Sequence, residues 1–144
     1  MPLVVVDASS LLRAALTSRS PARELLDTVL DHGLLVASRE ILNEVDMVLR
    51  RPKFARWLSS GRRQFFIQRI SVAARLVEPT VKVADCRDPT DDKYLEAALA
   101  AASDAADGTV LFVTDDRDLL VLDPWREGIR ILKPEAALAA LASG

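Results

Sequence analysis

An apolar run, Leu3–Val6, opens the chain and ends in a carboxylate, Asp7. The arrangement returns late in the sequence as Val110–Val113, followed by Thr114, Asp115 and Asp116. Unbroken, β-branched-rich runs of this length are what strands buried on both faces of a parallel sheet look like. Parallel strands need long crossovers, usually helices, so the intervening sequence has to alternate helix and strand. In an open α/β sheet, ligands bind beyond the carboxyl ends of the strands. Two strands that finish in acids therefore bring negative charge to one rim, and a divalent cation is the usual remedy.

The rest of the chain supplies that alternation. A helix is predicted from Ser9 to about Leu16. Ser20 and Pro21 read as an N-cap and first helical residue, before Leu25, Leu26, Val29 and Leu30 at helical spacing and a stop at Gly33. Leu34–Ala37 reads as a short buried strand. Ser38 caps the next helix, with Ile41, Leu42, Val45, Val48 and Leu49 on its apolar stripe. After a break at Pro52, residues 56–58 and 62–76 are predicted helical, with Gly61 as a joint. Glu78–Val83 is predicted extended, Asp85–Pro89 a loop, and Thr90 the start of a helix to about Ala102. Val110–Thr114, a helical turn at Arg117–Leu120, the strand Ile129–Leu132 and the helix Glu135–Leu141 complete the order. This pattern predicts one α/β domain over residues 1–144, a three-layer α/β/α sandwich around a mainly parallel sheet.

No stretch reaches the roughly 18 apolar residues of a membrane span, and the opening residues do not read as a signal peptide. With Cys86 as the only cysteine, no internal disulfide forms, which fits a reducing cytoplasm. The net charge of −2 conceals a segregation. Between Met47 and Val77 lie eight of the 19 basic residues (Arg50, Arg51, Lys53, Arg56, Arg62, Arg63, Arg69, Arg75) and none of the 21 acidic ones. Such a stretch is either a solvated helix face or a surface for a polyanion. Phe54, Trp57, Phe65 and Phe66 fall in it and are expected to be core rather than base-stacking residues.

Four places carry acids suited to a metal. Asp7 and Asp116 follow strands. Glu44 borders the apolar stripe of its helix, three residues after Ile41 and four before Val48. Asp92 opens a helix, three residues before Leu95. Each alone has an ordinary reading as a cap or a surface acid, but together they converge on one rim. Oxygen donors without a His or Cys cluster favour Mg2+ or Mn2+ over Zn2+, and such a site suits phosphoryl chemistry. The sole histidine, His32, reads as a helix-end residue, which leaves no Ser/His/Asp system.

These segments resemble PIN-domain ribonucleases. Val4–Leu12 is similar to the opening motif, Ile41–Val45 with Val48–Phe54 to the second, Asp88–Glu96 to the third, and Val113–Leu120 to the fourth. Ile131–Pro134 is similar to the closing strand, and the helix with its Arg51-Pro52-Lys53-Phe54 tail resembles a bacterial toxin subgroup. The resemblance implies an endoribonuclease using Mg2+ or Mn2+, the toxin of a type II toxin–antitoxin pair, with RNA as substrate, a small antitoxin as partner and a possible homodimer. It implies Asp7, Glu44, Asp92 and Asp116 as the catalytic and metal-holding quartet, and Asp118 as a supporting metal residue. Ser9 and Thr114 match supporting hydroxyl positions, and Asp91 competes with Asp92 for the third place. Asp115 departs from the family, which has glycine or a neutral residue there. Arg50, Arg51, Lys53, Arg62 and Arg63 are candidates for phosphate contacts. Two other readings stand beside this one: a phosphatase with Asp7 as nucleophile, which lacks the usual second Asp where Ser9 stands, and a non-catalytic scaffold.

Overall fold

The computed structural model describes residues 1–126 and 128–143. Glu127 and Gly144, both within the expected domain, lie outside the described residues. Among the described residues five strands form: β1 (Leu3–Val6), β2 (Val36–Ser38), β3 (Arg75–Val77), β4 (Val110–Val113) and β5 (Ile129–Leu132). All their ladders are parallel. β1 pairs with β4 and β4 with β5, while β2 pairs with β3. A parallel bridge between Val4 and Leu35 joins the two ladders, giving the order β3-β2-β1-β4-β5. From β1 the chain runs outward to β2 and later returns on the other side as β4. The reversal point of the sheet thus lies between β1 and β4, where an open α/β sheet has its crevice.

Among the described residues seven α-helices flank the sheet as an α/β/α sandwich: α1 (Ala8–Leu16), α2 (Pro21–Asp31), α3 (Arg39–Leu49), α4 (Ser60–Ala73), α5 (Asp92–Asp104), α6 (Arg117–Leu120) and α7 (Pro134–Ser143). α5 lies against β1, β2 and β4; α7 lies against β4 and packs on α2, which packs on α1. All four residues of β1 and of β4 are buried, which is why they carry no polar side chain. Ser20 caps α2, accepting from Arg23 N at 3.1 Å, with Pro21 at its first position. Ser38 ends β2 and caps α3 through Ile41 N at 3.2 Å, so strand and helix are joined without a loop and the face carrying Glu44 is fixed.

Several expectations shift, and residues 56–58, expected helical, form a turn. The helix predicted to Leu76 ends at Ala73, and Gly61 lies within α4 rather than at a joint. The strand predicted at Glu78–Val83 occurs instead at Arg75–Val77, because Arg75 N donates to Leu35 O at 2.8 Å as soon as the chain leaves α4. Pro79 has no N–H with which to extend the ladder, and Val83 N is held instead by the buried Glu96 Oε2 at 2.9 Å. Trp57 and Phe65, expected in the core, are exposed: Trp57 lies in the turn before α4, and α4 itself fully buries only Ile70.

Gly128 leads into β5 at φ +85°, and a Cβ there meets Gly108 O at 2.5 Å. Gly128→Ala is expected to destabilise the protein by at least about 1–3 kcal/mol, the range for a strained non-glycine backbone, measurable by chemical denaturation.

Candidate active site

Beyond β1 and β4 lies a cleft of about 340 Å³ lined by Asp7, Ala8, Ser9, Glu44, Asp91, Tyr94, Asp115 and Asp116. The parallel register sets Val6 beside Val113, so the residues that follow each strand emerge together. Asp7 N donates to Val113 O at 3.1 Å, and the Asp7 side chain then caps α1, accepting from Ser10 N at 2.9 Å. Its other oxygen accepts the Thr114 hydroxyl at 2.6 Å. Thr114 is fully buried and its Oγ1 also accepts from Asp116 N at 3.0 Å. One threonine therefore ties the first acid to the backbone of the last. Asp116 caps α6, its Oδ1 accepting from Asp118 N at 2.9 Å.

The start of α5 sends the two candidates for the third place, Asp91 and Asp92, in different directions. A short 3-10 turn, Pro89–Asp91, enters this helix, capped by Asp88 through Thr90 N at 3.0 Å. Successive helical residues point about 100° apart, so Asp91 and Asp92 cannot face one way. Asp91 lines the cleft. Asp92, favoured over Asp91 in the sequence reading, is buried outside the cleft wall and its Oδ1 accepts from Cys86 N at 2.9 Å. Asp118 is not in the wall either; its carboxylate stands 3.8 Å from the exposed Arg87 guanidinium. Ser9 is in the wall and exposed, and Thr114 lies beneath it.

Three further side chains organise the acids. Tyr94, three residues after Asp91, is almost fully buried, stacks on Phe112 with ring centroids 5.5 Å apart, accepts from Ala8 N at 3.0 Å and donates to Glu44 Oε1. Burial and the bond to Glu44 push its phenol above the usual range, so it remains a donor. Lys93 Nζ stands 2.6 Å from Glu44 Oε2. Arg13 Nη1 stands 2.6 Å from Asp115 Oδ2, balancing the acid that departs from the family pattern. Lys93 and Tyr94 lie within the segment similar to the third motif but were given no role from the sequence, and Arg13 lies outside the motif segments. Tyr94→Phe is expected to cost about 1–3 kcal/mol in urea denaturation, because it leaves the Ala8 N–H without an acceptor.

A family model described as PIN domain matches residues 3–118. The chain belongs to the PIN-domain family. The crystal structure of PAE2754 from Pyrobaculum aerophilum is similar over 99% of this chain and 91% of that one, with a TM-score of 0.66 at 18% identity, a likeness of fold. No curated protein matches the chain. PIN domains are generally nucleases and typically use divalent metals.

Burial holds the Asp7 carboxyl above its ordinary value, against the pull of the Thr114 and Ser10 hydrogen bonds, and Asp115 adds to the rise. Burial, with the charges of Asp88 and Asp116, pushes Asp91 up to about 6, against the opposing pull of Lys93. The cleft thus resists collecting negative charge, which is what a site made for a cation does. Among the described residues no three Asp, Glu, His or Cys side chains are grouped so as to hold a metal ion as they stand. The donor set still fits a hard cation, since every ionisable group in the wall other than Tyr94 is a carboxylate. Asp7 is pinned by two hydrogen bonds, so convergence on an ion falls to the less buried Asp91 and Asp116.

The basic stretch is divided in the PIN fold. Arg51 borders a groove with Glu40, Asn43, Glu44, Met47, Val48 and Lys93, so this groove and the acid cleft share Glu44. Arg62 lies elsewhere, in a groove with Arg23, Phe65, Phe66 and Arg69. Arg50 is engaged by Asp46 at 3.0 Å, one helical turn earlier. Lys53 is exposed, its ammonium 5.1 Å from the Phe54 ring centre, and Arg63 is half-buried. Among the described residues no helix is long and apolar enough to cross a membrane.

Proposed function

We propose that residues 1–144 form one PIN nuclease domain that hydrolyses RNA phosphodiester bonds with Mg2+ or Mn2+, its working acids being Asp7, Glu44, Asp91 and Asp116. The observation that carries this reading is the single cleft at the reversal point between β1 and β4, whose wall holds all four. Asp91 takes the third place in preference to Asp92 because the latter is spent on Cys86 N. When bound, the divalent ion lowers the pKa of an attacking water and stabilises charge on the phosphate. Asp7 offers a carboxylate held in one orientation by Thr114 and the α1 N-terminus. Tyr94 and Lys93 fix Glu44, and Ser9 presents an exposed hydroxyl at the α1 end of the cleft.

Arg51, on the groove that adjoins the cleft, is the basic residue best placed to meet a phosphate of the same strand. Arg51→Ala is expected to weaken RNA binding evenly across sequences and to lower the slope of log K against log salt by about 1. An unchanged slope assigns Arg51 to a solvated face. The finer reading is a type II toxin in the cytoplasm, alone or as a homodimer, silenced by a small antitoxin that sets an Arg or Lys against the unbalanced acids.

Purified chain incubated with a mixed RNA pool and Mg2+ or Mn2+, beside Asp7→Asn and an EDTA control, tests the central claim. Cuts that need metal and Asp7 are expected. A folded chain that binds Mn2+ yet never cuts would favour the scaffold reading. The toxin reading is tested by growth arrest on expression, relieved by Asp7→Asn and by co-expression of a small neighbouring gene product.

A further inference from the structure

Five carboxylates line the cleft, and the protein neutralises two of them itself. Arg13 balances Asp115 at 2.6 Å and Lys93 balances Glu44 at 2.6 Å. Among the described residues Asp7, Asp91 and Asp116 have no salt-bridge partner. Lys93 differs from Arg13 in being buried: its side chain is 7% exposed, against 49% for Arg13. The ammonium is satisfied on several sides, by Glu44 Oε2, by the Thr90 carbonyl and by the Tyr94 ring, whose centre lies 5.2 Å away. Glu44 is equally committed, with Oε1 accepting from Tyr94 and Oε2 facing the ammonium.

We infer that the Lys93 ammonium fills the cation place beside Glu44, so that the cleft takes one divalent ion, held on the Asp7, Asp91 and Asp116 side, with Glu44 outside its ligand set. Two physical arguments support this. A second divalent ion on Glu44 would meet the like charge of Lys93 at close range in a sheltered site, where repulsion is poorly screened. Displacing Lys93 would leave a buried ammonium without its counter-charge, which is strongly unfavourable. The three unpaired acids are left as the donors for a single ion. Lys93 is accordingly a positioning residue, acting through Glu44.

This inference rests on the metal-dependent reading above, and its test separates the two. Mn2+ bound per chain is counted on the full-length protein near neutral pH, by calorimetry and by the electron paramagnetic signal of free Mn2+. The wild type is expected to bind one ion. Lys93→Met is expected to gain a second, weaker Mn2+ that disappears again in Lys93→Met with Glu44→Gln, while Lys93→Arg keeps one. Glu44→Gln alone is expected to weaken the single ion by no more than about 100-fold, the upper end for a group outside the ligand set. If Lys93→Met fails to fold, the Glu44→Gln measurement decides. A greater loss in Glu44→Gln overturns the inference, as does a folded Lys93→Met chain that still binds only one ion. A wild type that binds two ions overturns the inference alone, whereas one that binds none overturns the metal-dependent reading with it.

Discussion

Asp7→Asn is expected to reduce metal-dependent RNA cleavage at least about 100-fold, the scale on which losing one charge-stabilising group is felt in an active site, while stability stays level or rises. The two effects separate because Asp7 has two jobs. Structurally it needs an oxygen to accept from Ser10 N and a polar atom facing the Thr114 hydroxyl; asparagine keeps the first, and its amide donates to Thr114 Oγ1 where the carboxylate accepted. As a buried charge it is a burden, since burial holds its carboxyl above the ordinary value of 3.8. A carboxyl raised in the native state binds its proton more tightly there than in the unfolded chain. Its contribution to stability is complete below the unfolded pKa and is lost as pH rises through the native one. Wild-type stability should carry that decline and Asp7→Asn should not. Asp7→Ala loses the cap as well and should cost about 1 kcal/mol. Urea titrations across pH, beside cleavage assays on the same preparations, read both. A large loss of stability in Asp7→Asn would make this acid structural and remove it from the catalytic set.

The acids that end strands were legible because their positions depend on strand pairing, which an apolar run announces. Once Leu3–Val6 and Val110–Val113 lie side by side, Asp7 and Asp116 have to emerge at one rim. Glu44 was legible from its place beside the apolar stripe, since Ser38 sets the phase of α3. The choice between Asp91 and Asp92 was not. The phase of α5 is set by the 3-10 turn that precedes it and by the burial of Tyr94, and neither leaves a periodic trace. Lys93 was hidden for a related reason: a lysine near a helix start reads as solvated until a partner 49 positions earlier in the chain is known. The basic stretch read as one surface because charge runs are linear in sequence, whereas Arg51, just beyond α3, and Arg62, in α4, border different grooves.

Asp91→Asn and Asp92→Ala should therefore fail in opposite ways. For Asp91→Asn the expectation is a loss of cleavage on the scale of Asp7→Asn, with no loss of stability. Burial and the neighbouring acids hold the Asp91 carboxyl at about 6 in the folded chain, above its ordinary 3.8. The wild type should thus give up stability between those two pH values, and the variant, lacking the charge, should be the more stable above about pH 6. Asp91 is partly open to solvent, so screening limits the size of that gain. Asp92→Ala strips the acceptor from the buried Cys86 N–H and is expected to cost about 1–3 kcal/mol, with cleavage per folded molecule retained. Denaturation midpoints and cleavage rates at matched folded concentration distinguish the two. Cleavage lost in folded Asp92→Ala and kept in Asp91→Asn would return the third place to Asp92, and would require the start of α5 to turn by about one residue to bring that carboxylate into the cleft.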